Sequence, residues 1–108
     1  MLARGDRVAA EQELIRVLVI EPNHPDALTD LAVLALARGD PAAAITYVGR
    51  IPEPVQTPRS RFYLALGCEA CGRAEEAREL YRGLEQEPGS KYAGLARARH
   101  SNMERGGT

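Results

Sequence analysis

Leu36-Ala37-Arg38-Gly39-Asp40 repeats, letter for letter, the stretch Leu2-Ala3-Arg4-Gly5-Asp6. A looser copy, Glu69-Ala70-Cys71-Gly72-Arg73, sets Gly72 one period after Gly39, and Arg105-Gly106 sets a further glycine one period beyond that. A fixed period of about 34 residues marks a chain built from stacked supersecondary units, none of which can bury its apolar face alone. In each copy the glycine stands where a left-handed residue ends one helix and turns the chain into the next. Gly5, Gly39 and Gly72 are therefore expected to be turn residues, with Asp6 and Asp40 capping the helices that follow.

Working outward, each segment between the glycines has its own start signal. Pro41 suits a first turn because its missing N–H has no partner there, Thr57-Pro58 repeats the device, His24-Pro25-Asp26 is a looser version, and Ser90 follows Gly89. The spacing predicts six helices, about 7–21, 25–38, 41–51, 58–71, 74–87 and 91–104. Leu28, Leu31, Ala32 and Ala35 recur at i, i+3, i+4 and i+7, and Ala44, Val48 and Ile51 supply the matching face. Ala32 and Ala44 are small where two backbones come closest, and short turns return each helix antiparallel to the last. The expected fold is all-α, a solenoid of antiparallel helical hairpins.

A length of 108 residues suffices for one domain, and 44% hydrophobic with 27% charged residues is an ordinary globular composition. The net charge of -1 supplies no field for nucleic acid or an anionic membrane. The segment 90–108 is locally basic, yet Arg97 and Arg99 cannot share a helix face and Tyr92 is the one aromatic among them, a poor platform for bases. No apolar stretch approaches the ~20 residues of a spanning helix, and the first residues lack a secretory layout. Neither nucleic acid nor membrane is expected as a partner, and the cytoplasm is the default location.

Candidate chemistry is sparse. Cys68-Glu69-Ala70-Cys71 has redox or metal spacing, but both thiols fall near a predicted helix end of the wrong polarity to lower a thiol pKa. A zinc site would need four ligands, and only His24 and His100 remain, far away. Cys68 is expected to fill the core and Cys71 to be half-buried, with a thiol or metal site at the pair the weakest functional alternative. Glu75, Glu76 and Glu79 fit a solvated first turn, where Glu75 pairs with Arg78 or Glu79 with Arg82. No nucleophile elbow, phosphate loop or calcium loop is present. An enzyme is not expected, and neither a cofactor nor a metal is.

Counted outward from Gly39, the slots resemble the tetratricopeptide repeat: Leu28 is the large apolar residue, Leu31-Ala32 the Leu-small pair, Ala44 the alanine, and Val48 stands in the aromatic slot. Around Gly72 the slots are Leu64-Ala65, Ala77, Tyr81 and Leu84, while around Gly5 only Ala10, Leu14, Val17 and Pro22 of the second half are present. Arg61 departs from the pattern in a large apolar slot, and Cys68 and Ala35 replace the usual tyrosine. The resemblance implies a right-handed superhelix of about two and a half repeats plus a capping helix: a partial repeat over 1–24, repeats over 25–57 and 58–90, and a cap with its tail over 91–108.

By the same resemblance the first helix of each hairpin lines a concave groove. Its lining would be Asp26, Thr29, Val33 and Leu36, then Arg59, Phe62, Leu66 and Glu69, continued by Ala93, Ala96, His100 and Met103. Phe62 and Leu66 are expected to be exposed there, with Arg59 and Glu69 orienting the ligand. The implied function is protein–protein interaction, a scaffold or adaptor holding a peptide or neighbouring domain in an apolar groove. The subclass that clamps acidic peptide C-termini with Lys and Asn is not matched, since Thr29, Val33 and Tyr63 stand at those positions. In the alternative, the chain forms a homodimer, or docks onto further repeats, through Leu14 and Val17 on the open face of the first helix.

Overall fold

The structure, a computed structural model, describes residues 4–87 and 89–106. Among these residues six α-helices follow one another: α1 (Arg4–Ile20), α2 (Pro25–Ala37), α3 (Pro41–Gly49), α4 (Pro58–Ala70), α5 (Ala74–Glu85) and α6 (Lys91–Gly106). One 3₁₀ turn, Glu53–Val55, lies between α3 and α4, and there is no strand among the described residues.

The caps explain the boundaries. The His24 ring accepts from the Ala27 N–H at 3.1 Å and the Asp40 carboxylate accepts from the Ala43 N–H at 3.1 Å. Thr57 and Ser60 form a reciprocal capping box, with Ser60 N–H donating to Thr57 Oγ1 at 3.0 Å and Thr57 N–H to Ser60 Oγ at 2.9 Å. Gln56 extends that box backwards: its Oε1 accepts from Ser60 Oγ at 2.6 Å, and its Nε2 donates to the carbonyls of Val48 and Ile51 at 3.2 Å each. One side chain thus bonds carbonyls at and just after the end of α3 and fixes the entry to α4, a role the sequence pattern does not signal.

The turns at Gly39 and Gly72 are copies of one motif. Asp40 N–H donates to Ala35 O and Gly39 N–H to Leu36 O, at 2.8 and 3.1 Å; Arg73 N–H donates to Cys68 O and Gly72 N–H to Glu69 O, at 2.8 and 3.2 Å. This double closure requires the positive φ of 83° at Gly39 and 80° at Gly72. Gly5 departs from expectation. It lies inside the first turn of α1, which begins at Arg4, so it ends no helix and Asp6 is not an N-cap. A glycine closes a helix in the left-handed conformation, and Gly5, helical like Arg4 and Asp6 beside it, does not have the positive φ of Gly39 and Gly72. Leu2 and Ala3 of that copy lie outside the described residues, as do Gly107 and Thr108.

Each helix packs on the next, and α2, α4 and α6 also touch in series, so the first helices of the hairpins share one side of the stack. One core cluster joins α2 to α3 through Leu28, Ala32, Ala35, Ala44, Val48 and Ile51. A second joins α4, α5 and α6 through Phe62, Ala65, Cys68, Tyr81, Leu84 and Met103, and Leu64 packs against both. Arg61, which breaks the apolar slot, resolves its charge by reaching Glu87 Oε1 at 2.5 Å. Cys68 is buried as expected, whereas Cys71 is exposed rather than half-buried, because it is the C-cap of α4, where the chain leaves the core.

Candidate functional site

The expected groove residues separate into three groups. Val33 on α2 and Arg59 at the start of α4 come together in a depression of about 400 Å³, with Leu34, Asp30 and, from α1, Ala10, Glu13 and Leu14. Arg59 Nη2 donates to Asp30 Oδ1 at 2.7 Å and its guanidinium lies over the Tyr63 ring at 5.7 Å. Burial opposes the Arg59 charge, but the Asp30 carboxylate outweighs it and the pKa is raised. Leu36 and Leu66 form a second group, half-buried at the edges of the two core clusters.

The third group is covered. Thr29 is buried, its hydroxyl donating to Pro25 O at 2.8 Å, and Phe62 is 6% exposed, so neither faces solvent as expected. Thr29, Phe62 and Leu95 occupy one equivalent position on α2, α4 and α6, each a repeat apart. Phe62 meets the rings of Tyr92 on α6 and Tyr81 on α5 at 5.5 and 6.2 Å, whereas Leu95, with no further helix beyond it among the described residues, is 46% exposed. The position is therefore the seat of the next first helix, which is why a ring there is buried. Ala93, Ala96 and Met103 are likewise buried and do not continue a groove.

Glu69 is also committed. Its Oε1 accepts from Tyr81 OH at 2.8 Å and from Arg99 Nε at 3.3 Å, and its Oε2 accepts from Arg99 Nη2 at 2.7 Å. Hydrogen bonding to Glu69 is the main cause of the raised Arg99 pKa, and burial, followed by Glu69, pushes the Tyr81 phenol well above its ordinary value. This clasp fastens α4, α5 and α6. A second one holds His100 between Glu85 and Glu104, at 3.3 and 3.4 Å. Cys68 offers little chemistry, since burial pushes its thiol up, away from the thiolate that nucleophilic and metal sites use.

At the other end α1 has only α2 to pack on. Glu11 meets Arg38 at 2.5 Å and Leu18 packs on the α2–α3 cluster, while Leu14 is half-buried and Val17 is 37% exposed. Val8, Ile15, Val19 and Ile20 are exposed too, the last two at 77% and 82%. Sequence reasoning missed these four; the signal was available, because α1 is apolar on more sides than one packing partner can cover.

No helix among the described residues is long and apolar enough to cross a membrane. Comparison with curated proteins and with solved structures returns no match. The sequence model of one family, the tetratricopeptide repeat, matches residues 1–67, which takes in α1 to α3 and most of α4. Repeats of this family generally mediate protein–protein interaction and are typically non-enzymatic scaffolds. With that match over more than half its length, and with the paired glycine turns and matching apolar slots continuing through α5, the chain belongs to the tetratricopeptide repeat family.

Proposed function

We propose that the chain is a protein-interaction module that holds a peptide segment in the apolar depression between α1, α2 and α4, in a scaffold or adaptor role. The observation that carries this reading is the meeting of Val33, Leu14 and Arg59, from three different helices, around one open apolar space. Desolvation of Val33, Leu34 and Leu14 would supply affinity, and the Asp30–Arg59 pair at the rim would supply orientation. Leu36 and Leu66 are half-buried elsewhere on α2 and α4, and Thr29, Phe62 and Glu69 are held within the helix packing. Self-association through Leu14 and Val17 is the weaker reading of the same surface. An isologous contact would set each copy's Glu13, Asp26 and Asp30 against the same face of the other.

The test is to pan a display library of random peptides on the chain and measure the enriched peptides against variants. Val33→Glu and Leu14→Glu should weaken them at least about tenfold, and Leu95→Glu, at the far end of the stack, should leave them unchanged. Peptides indifferent to Val33 and Leu14 would move the site elsewhere.

A further inference from the structure

The repeat supplies its own template for what belongs on α1. In and just after α3, Ala44, Val48 and Ile51 are buried beneath α2, and in α5 the equivalent Ala77, Tyr81 and Leu84 are buried beneath α4. The corresponding residues of α1, one period before those of α3, are Ala10, Leu14 and Val17. They have the same small-then-large apolar character, yet Val17 is exposed and Ala10 and Leu14 line the open depression. The surface is thus shaped for a helix that presents what α2 presents: Leu28, Ala32 and Ala35, which join the cluster with α3, and the buried Leu31 beside them.

Charge narrows the occupant further. Successive first helices meet through one pair of positions, as Asp30 of α2 with Arg59 of α4 at 2.7 Å and, one repeat on, Tyr63 of α4 with Tyr92 of α6 at 6.5 Å. Carried one step back, the residue awaiting a partner is Asp26, which is exposed, has no ion-pair partner among the described residues, and shares a face of α2 with Asp30 and Val33. A helix seated on α1 would bring its own residue, equivalent to Asp30, against the Asp26 carboxylate. A second copy of this chain fits poorly. Its α6 carries Gly94, Arg97, Ala98 and Ser101, all exposed, at the four slots, and two α1 faces meeting would leave both Asp26 carboxylates unanswered.

We propose that the open side of α1 seats an amphipathic helix of a partner protein that completes the first hairpin. That helix carries apolar residues at i, i+3, i+4 and i+7, large at the first two and small at the last two, and a basic residue at i+2 that pairs with Asp26. The proposal rests on the binding reading above and specifies its ligand.

The probe is a labelled, end-blocked synthetic peptide with the sequence of residues 22–39, and the same peptide carrying Asp30→Arg, titrated by fluorescence anisotropy into the full chain at low salt. The Asp30→Arg peptide should bind about fivefold or more tighter than its parent, and Asp26→Arg in the protein should invert that order. Leu14→Glu or Val17→Glu, both at sites that are not fully buried, should weaken either peptide at least about tenfold with unchanged helicity. Binding that depends on Leu14 but ignores both charge changes would overturn the helix proposal and leave the binding reading standing. Loss of all Leu14-dependent binding, in these titrations and in peptide panning alike, would sink both. Sedimentation showing a dimer that the peptides dissociate would assign the surface to a second copy and overturn the partner assignment.

Discussion

Tyr81 does two things at once: its ring fills the core between α4 and α5, and its hydroxyl donates to Glu69. Because burial and Glu69 raise the phenol pKa in the fold, the stabilising contribution of the neutral hydroxyl is complete below the ordinary tyrosine pKa of about 10. It is lost as pH rises through that value toward the higher folded one, since the unfolded chain then releases the proton first. Tyr81→Phe should cost about 1 kcal/mol near neutral pH by urea denaturation, and the gap between variant and wild type should shrink above about pH 10. Two glycines separate strain from space. An added Cβ at Gly39 would meet nothing within 4 Å, so Gly39→Val, strained only by φ, should cost about 1 kcal/mol or slightly more. At Gly67 a Cβ would come within 3.1 Å of Ile45 Cγ1 and 3.3 Å of the Pro41 carbonyl, so Gly67→Leu should cost about 1–3 kcal/mol by pushing α4 off α3. The left-handed turn at Gly39 is legible in sequence because it follows from local chemistry. The tightness at Gly67 is not, since it depends on how closely a helix from elsewhere approaches.

Among the elements, the first helices show where periodicity stops being informative. Spacing assigns Leu28, Ala32 and Ala35 correctly to the face α2 turns toward α3, because a hairpin partner adjacent in sequence lies on the side the short turn dictates. The other flank of the same helix meets an element a whole repeat away, and nothing within one helix says whether that flank is open. Phe62, expected in a groove, lies under Tyr92 for that reason. Val33 and Arg59, by contrast, are expected at a surface and do line the depression. Their shared site with Leu14 was not legible, because α1 closes it from a third direction. The consequence for Phe62 is measurable: Phe62→Ala removes a ring that bridges α4, α5 and α6 and should cost about 3–5 kcal/mol in denaturant unfolding. A loss below about 1 kcal/mol would mean that α6 does not seat on α4 as the ring contacts require.

For the molecule as a whole, a stack in which each helix leans mainly on its sequence neighbours has a stability that varies along its length rather than one shared value. The two ends are finished differently. At the C-terminal end α6 turns Arg97, Ser101 and Asn102 to solvent and is fastened by the Glu69–Arg99 and His100–Glu85 pairs, whereas α1 leaves Val17, Val19 and Ile20 exposed and is tied to α2 by few contacts beyond Leu18 and the Arg38–Glu11 pair. Local opening should follow that asymmetry. Few buried apolar contacts mean a low free energy of opening, and opening at an end costs one interface where opening in the middle costs two. Amide hydrogen exchange should accordingly be fastest in α1, slower in α6 and slowest in α3 to α5. Adding the Asp30→Arg form of the 22–39 peptide should slow exchange in α1 first, because completing the hairpin restores the second interface that α3 and α5 already have. Uniform protection along the chain would show that α1 is held as firmly as the core helices, and that its apolar side is not waiting for a partner.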